Sequence, residues 1–368
     1  MKASTVQMLS SASLSASALL IPNLARDDFG ASTWEIGVLV AAYSAAVFVS
    51  SYVFGRYSDV HGRRRILELG LLLSTITLFL QIFAIDTLTL TLSRILVGLC
   101  AGMYPSALLA HVYETDKKIG KFSSFGSLGF GIGVFMAGVI GIYYGIFLFS
   151  AIVMFIAFAV SLLLPFGKER VQKVPFFPRD VIRRNYPVYL SVMFRHTGAN
   201  MIWVIYPLFL ADLGASAVFI GAIYAINAVA QFVFMQFTDR YRSVTLVAVG
   251  FIMSIITFPS YTLAEVYWQI IPSQIMIALA WSTLYVGSVK YVMERNEEKG
   301  TSAGLLQSAL SIAAILGALL GGVVAGLFGY EGCMYLATVI AMVGLFIFVV
   351  GDRWSNARPG KDIKATGQ

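Results

Sequence analysis

Apolar stretches of about 20 residues follow one another along this chain almost without pause, and that feature excludes most folds. A run of that length crosses a ~30 Å hydrocarbon layer as a helix. In lipid every backbone N–H and C=O must find a partner within the protein, which leaves only helices or a closed barrel. Barrel strands are about 10 residues long and alternate lipid-facing with lumen-facing residues; the runs here are longer and uniformly apolar. Only 12% of the 368 residues are charged, against roughly 25% in soluble domains. Spans are expected at 4–23, 34–54, 66–84, 88–109, 122–142, 145–165, 187–210, 217–236, 244–263, 268–289, 302–328 and 332–350. The first is rich in serine (Ser10, Ser11, Ser13, Ser15, Ser17) and reads as an uncleaved span, because a secretory signal needs a more apolar core. Cys100 and Cys333 show no metal or redox spacing and read as packing residues.

Charge supports the count. With the N-terminus in the cytoplasm, alternate loops collect Lys2; Arg56, Arg63, Arg64 and Arg65; Lys117, Lys118 and Lys121; and Lys168, Arg170, Lys173, Arg179, Arg183 and Arg184. The later loops add Arg240 and Arg242; Lys290, Arg295 and Lys299; and Arg353, Arg358, Lys361 and Lys364, which makes 23 of the 26 Lys and Arg. The positive-inside rule then predicts a multi-pass cell-membrane protein with both termini cytoplasmic. It also accounts for the net charge of +7, so no nucleic-acid partner is implied; the partner is the lipid bilayer.

The longest polar connection, 166–186, divides the chain into a bundle at 1–165 and another at 187–350, followed by a cytoplasmic tail at 351–368. An internal repeat supports this division. Gly30, Ala31, Ser32, Ile36 and Gly37 recur in the second half as Gly214, Ala215, Ser216, Ile220 and Gly221. Ser58 and Asp59 recur as Thr238 and Asp239, at a spacing one helical turn shorter, and Ala137, Gly141 and Gly145 recur at that same spacing as Gly317, Gly321 and Ala325. Small residues at every fourth position let helices approach closely in lipid. The expected fold is therefore an all-α membrane protein, twelve transmembrane helices in two pseudo-symmetric six-helix bundles, an architecture used by secondary transporters.

The connection after span two reads Gly55, Arg56, Tyr57, Ser58, Asp59, Val60, His61, Gly62, Arg63, Arg64, Arg65. It resembles the signature loop of the major facilitator superfamily, with Val60 where a basic residue is usual. The second half carries a degenerate copy, Phe237, Thr238, Asp239, Arg240, Tyr241, Arg242. A carboxylate at a helix end can meet the N-terminus of a neighbouring helix or an arginine. The resemblance implies that Asp59 helps latch the cytoplasmic side, with Arg63 as a partner. Arg94, Gly98 and Gly102 in span four resemble a second family pattern, which implies a part for Arg94 in proton coupling. The Gly-Pro pair that marks the family's antiporters is absent from span five.

The resemblance also implies a central cavity lined by spans one, four, seven and ten. Helical angles place Arg195, His196, Asn200, Trp203 and Tyr206 on one arc of span seven, and Gln274, Trp281, Tyr285 and Ser288 on one stripe of span ten. Span one offers Ser10, Ser13 and Ser17, and span eight Asn227 and Gln231. Such a cavity has aromatic walls, a few hydrogen-bonding groups and a positive charge from Arg195; helix packing is the competing explanation for each residue. His196 is a candidate proton carrier. Every acidic residue falls in a loop or near a span end, which argues against exchange of protons for cationic drugs. The expectation is a monomeric transporter, without cofactor or metal, moving a small neutral or anionic organic solute, with or without a proton or other coupling ion. Proton-coupled drug or metabolite efflux is the alternative. A receptor or polytopic enzyme is a third reading, for which no nucleophile, paired-carboxylate or metal-ligand constellation is present.

Overall fold

The computed structural model describes residues 2–167 and 172–357. It is built from α1 (Lys2–Leu19), α2 (Ile21–Asp27), α3 (Thr33–His61), α4 (Arg63–Leu80), α5 (Thr87–Thr115), α6 (Ile119–Ile140) and α7 (Tyr143–Ser161) in the first half. The second half holds α8 (Arg179–Asp212), α9 (Ala217–Met235), α10 (Ser243–Ser260), α11 (Ile270–Arg295) and α12 (Lys299–Ala357). Ten helical stretches among the described residues are long and apolar enough to cross a membrane. One of them, α12, is two helices joined at Gly329, whose φ of 69° lies in the left-handed region that favours glycine. A further crossing is α8, 34 residues long, whose apolar character is diluted by arginines and by His196. The count of twelve therefore holds.

Several helices run past the expected span ends, α3 to His61, α5 to Thr115, α11 to Arg295 and α12 to Ala357, and three further differences each have a local reason. The first crossing breaks between α1 and α2, where Pro22 occupies the first turn of α2. Helix α8 starts at Arg179, inside the expected 166–186 connection, with Pro178 as its N-cap and Asp180 in its first turn; Pro187 and Pro207 lie within the helix. The eleventh and twelfth crossings run together through Gly329. Lys168, Arg170, Arg358, Lys361 and Lys364 lie outside the described residues.

Helix starts on the face opposite the basic loops are well capped. Ser32 and Glu35 form a capping box on α3, and Asp86 and Thr89 one on α5. The Thr89 amide and hydroxyl that bond Asp86 hold its carboxyl below the usual range.

The sequence repeat is a repeat of packing. A Cβ added to Gly70 would meet Tyr104, and one added to Gly250 would meet Leu284, the counterparts of those two residues in the second half. Glycine lets α4 approach α5, and α10 approach α11, more closely than any side chain would allow.

The two halves meet along two seams. On the first, α3 and α12 touch at Gly55 and Gly300, at Gly55 and Gly304, and at Ser308, whose hydroxyl donates to the Phe48 carbonyl at 3.0 Å. On the second, α6 and α9 touch at Phe125 and Phe232, ring centroids 5.8 Å apart, at Ser127 and Gln231, 3.0 Å, and at Gly131 and Ala228. Each seam starts at the basic loops and runs about 11 residues, about 16 Å at 1.5 Å per residue, or half the hydrocarbon thickness. Among the described residues no hydrogen bond or ring pair joins the halves beyond Phe48 and Gly131. The molecule is thus sealed at its basic end and parted at the other.

Candidate functional site

The seal at the basic end is made twice with the same chemistry. The Asp59 carboxylate, 2% exposed, accepts from the Gly300 N–H at 3.0 Å, the Thr301 N–H at 2.7 Å and the Thr301 hydroxyl at 2.8 Å. Those amides are the N-terminus of α12, where unpaired N–H groups and the helix dipole favour an anion. Asp239, the counterpart of Asp59 in the repeat, accepts from the Gly120 and Lys121 N–H groups at 2.7 and 3.0 Å, the N-terminus of α6. Gly120 and Gly300 are themselves equivalent positions of the two halves. Gly55, on the first seam, has no room for a side chain: an added Cβ would lie 2.7 Å from the Gly300 carbonyl oxygen.

Arg63 supports Asp59 from the start of α4, 3.4 Å from its carboxylate, and pairs with Glu114 on α5. Gly62 makes the α3–α4 corner with φ of 97°, which explains a glycine between two helices. The connection between the halves rests on the same end, where the Gln172 N–H donates to the Asp59 carbonyl at 2.9 Å and Arg56 donates to the Val174 carbonyl at 2.9 Å.

Above the seal, the C-terminal half presents an aromatic wall. His196 stacks on Trp281 with ring centroids 4.9 Å apart, and Trp281 stacks on Tyr285 at 5.2 Å. All three are half-buried. Trp203 continues the wall against Tyr206 and Tyr224, at 5.2 and 5.6 Å. Tyr206 is fully buried and donates to Gln274, which also accepts from Tyr261, both at 3.1 Å. Beneath Tyr285 a cavity of about 30 Å³ lies between the halves, lined by Gln7, Pro105, Ser106, Phe122, Val289, Gln307 and neighbouring apolar residues.

The remaining expected residues sit inside one half or the other. Arg195 is 2% exposed; it donates to the Ser254 hydroxyl at 2.8 Å and lies 5.3 and 5.7 Å from the Phe258 and Trp281 ring centroids. It stands behind the wall, bracing α8 to α10 and α11. Asn200 donates to the His196 carbonyl at 2.8 Å and packs its Cβ against Gly317 of α12. Ser13 donates to the Ser150 carbonyl at 2.7 Å, a contact between α1 and α7. Ser17 and Gln81 both accept from Arg94, at 3.5 and 3.4 Å, and the Tyr43 ring centroid lies 4.2 Å from that guanidinium. The small-residue face below Arg94 is filled by α3, since a Cβ on Gly98 would lie 2.7 Å from the Tyr43 carbonyl oxygen.

Sequence reasoning passed over Gln7, Gln307, Tyr43, Gln81 and Tyr224. An amide inside an apolar run was the available signal for the three glutamines. The tyrosines carried no signal, because aromatic residues are common in spans. Among the described residues no group of three His, Cys, Asp or Glu is placed to hold a metal ion.

Comparison with known proteins gives a consistent result. The family model described as the Major Facilitator Superfamily matches residues 3–184 and 188–366. The chain is similar to the quinolone resistance protein NorA of Staphylococcus aureus, 23% identical over 353 residues that cover 88% of this chain and 89% of that one. It is also similar to an uncharacterised MFS-type transporter of Methanocaldococcus jannaschii, 23% identical over 351 residues, covering 88% of each. Its structure resembles the human organic anion transporter MFSD10 (TETRAN), with a TM-score of 0.78, 15% identity and 94% and 98% of the two chains covered. A mutant of the nucleoside transporter NupG superposes with a TM-score of 0.68 at 13% identity, covering 95% and 98%. At these identities the structural likeness speaks for the fold alone.

Proposed function

Because this chain belongs to the major facilitator superfamily, we propose that it carries a small neutral or anionic organic solute by alternating access, binding it against the His196, Trp281 and Tyr285 stack. That it is a multi-pass membrane transporter follows from the family; the cargo and the binding residues are our reading. The observation that carries it is the half-buried stack at the floor of a cleft sealed at one end and parted at the other. Stacked rings offer a flat apolar surface, and Gln7 and Gln307 below them offer hydrogen bonds from both halves. Arg195 behind Trp281 and Arg94 in the opposite half make the surroundings of the cleft positive. The similar proteins named for organic anions, nucleosides and quinolone resistance all concern small organic molecules.

The sealed end is assigned to the cytoplasm of a cell-membrane protein, because the basic loops lie there. The state described is therefore outward-open. Residues 1–165 and 187–350 are the moving halves, the chain works as a monomer, and opening requires Asp59 and Asp239 to leave their helix ends.

Purified protein in liposomes tests the proposal. Uptake of aromatic anions and nucleosides is expected, and Trp281→Ala should weaken binding about ten-fold, from loss of aromatic contact worth ~0.5–1.5 kcal/mol per pair. Absence of flux across anion, nucleoside, sugar and drug panels would end this reading.

Proton-driven export of drugs is the second reading, favoured by the similarity to a quinolone resistance protein. The buried acids among the described residues, Asp59 and Asp352, both lie at the basic end. Under export by antiport, Arg94 or His196 is the group to test. A pH gradient should drive accumulation in inverted vesicles and fail to do so in Arg94→Gln or His196→Gln.

A further inference from the structure

The N-terminal half contains a cavity of about 330 Å³ at its basic end, separate from the aromatic wall. Its size is at the lower end of small-molecule pockets. The ends of four helices enclose it: Lys2 comes from α1, His111 from α5, Lys118 and Lys121 from the start of α6, and Leu164 from beyond α7. We propose that this cavity is a second ligand site, built for a phosphate group, and distinct from the cargo site in the cleft.

Charge is the first argument. Three ammonium groups line the cavity against one carboxylate, Asp116, which lies 3.7 Å from Lys118. The Lys2 ammonium donates to the Leu163 carbonyl at 3.1 Å, so it is held in place without being neutralised. Lys121 has no side-chain hydrogen bond or ion pair among the described residues. Lysine is a compact point charge suited to phosphate oxygens.

Helix geometry is the second argument. Helix α6 begins at Ile119 without a side-chain cap. Its Gly120 and Lys121 amides are taken by Asp239, so this helix end already holds its anion, and what α6 gives the cavity is the placement of the Lys118 and Lys121 ammonium groups on one side of it. The cavity and the latch thus share the first turn of α6. Phe122, buried in the next position, is the wall common to this cavity and to the smaller one beneath Tyr285.

The phosphate group could be carried by a soluble compound or by an anionic lipid headgroup. The test is thermal unfolding of the full chain in phosphate-free neutral detergent at matched ionic strength, with inorganic phosphate or short-chain phosphatidylglycerol as the probe. Phosphate should raise the midpoint. Lys118→Gln and Lys121→Gln should each weaken the apparent affinity about five-fold, the effect of one surface lysine, and neither should alter the midpoint without anion. Trp281→Ala should leave the response unchanged, which separates this site from the cargo site. A rise with the lipid and none with phosphate assigns the site to a headgroup. No rise with either probe, or a rise that persists in the double lysine variant, overturns the proposal.

Discussion

The two halves are alike where they meet and unlike where they are deepest. At the basic end Asp59 holds Gly300 and Thr301, and Asp239 holds Gly120 and Lys121, so each half grips the other by the same bond. One layer further from the interface the copies diverge: Arg63 pairs with Glu114, while at the equivalent positions Ser243 donates to Glu294 at 2.6 Å. In the centre, Arg94 faces Gln81, whereas their counterparts are Gln274 facing Tyr261. A hinge that must open and close around a pseudo-two-fold axis has reason to keep both latches the same. The buried centre is free of that constraint: at these two equivalent pairs of positions one half holds a charge and the other a neutral, aromatic network, while the second half keeps a buried charge of its own at Arg195.

The largest effect should come from filling the seams. Gly300→Val and Gly120→Val place side chains where a single Cβ already collides with the Ser58 or Thr238 hydroxyl, and the neighbour on the other side is backbone. Neither seam can relax without separating the halves, so both variants should lose transport, and labelling of cysteines placed at the basic end should rise to completion. One variant retaining transport would mean that the two seams are not equivalent.

Next is an exchange between the two centres. Gln274→Arg puts a cation among Tyr206, Tyr261 and the Asn227 amide, which donates to the Gln274 carbonyl at 3.4 Å. Its hydrogen-bond partners among the described residues include no carboxylate, and an arginine at mid-span costs about 2.5–3.5 kcal/mol on insertion scales. Arg94→Gln, the reverse change, should leave stability nearly unaltered. Equal melting temperatures for the two variants would contradict the placing of charge at this pair of equivalent positions in the first half alone.

The latches come third, and they can be ranked. Asp59 is buried, takes three hydrogen bonds and has Arg63 beside it; Asp239 is half-buried and takes two. Hydrogen bonds to charged groups contribute about 1.5–3 kcal/mol each, of which neutral asparagine retains part. Asp59→Asn should therefore shift the population sealed at the basic end more than Asp239→Asn, by about ten-fold against a few-fold, read from spin-label distances across that end. Identical shifts would remove the ranking.

Much of this was legible beforehand, for physical reasons that differ by region. Loop charge and run length are imposed by the bilayer, so the twelve crossings and the half-length repeat could be read without coordinates. Asp59 and Asp239 could be found because a carboxylate at a span end needs a partner, although the choice of helix N-termini over arginine needed the structure. The wall was half legible: helical angles grouped His196 with its neighbours on span seven and Trp281 with Tyr285 on span ten, yet gave no means of seeing that Arg195, next to His196, and Ser13 on span one turn into their own bundles. Facing within a span depends on which helices lie on either side, and Ser254 of α10, which holds Arg195 from behind, is far from it in the chain.

The smallest effect tests the neutral centre against the charged one. Gln274 accepts from two hydroxyls at 3.1 Å, so Tyr261→Phe leaves its carbonyl satisfied by Tyr206. The net loss is that of one ordinary hydrogen bond, ~0.5–1.5 kcal/mol. Gln81→Leu is the corresponding change in the other half. There the bond lost is to a guanidinium that is 4% exposed and whose other partners are Ser17 and the Tyr43 ring. A charge left with fewer partners in a dry interior costs more than an amide oxygen that loses one of two donors and keeps the other. Denaturation in detergent should therefore rank Gln81→Leu below Tyr261→Phe in stability, and the reverse order would place the fragile centre in the neutral half.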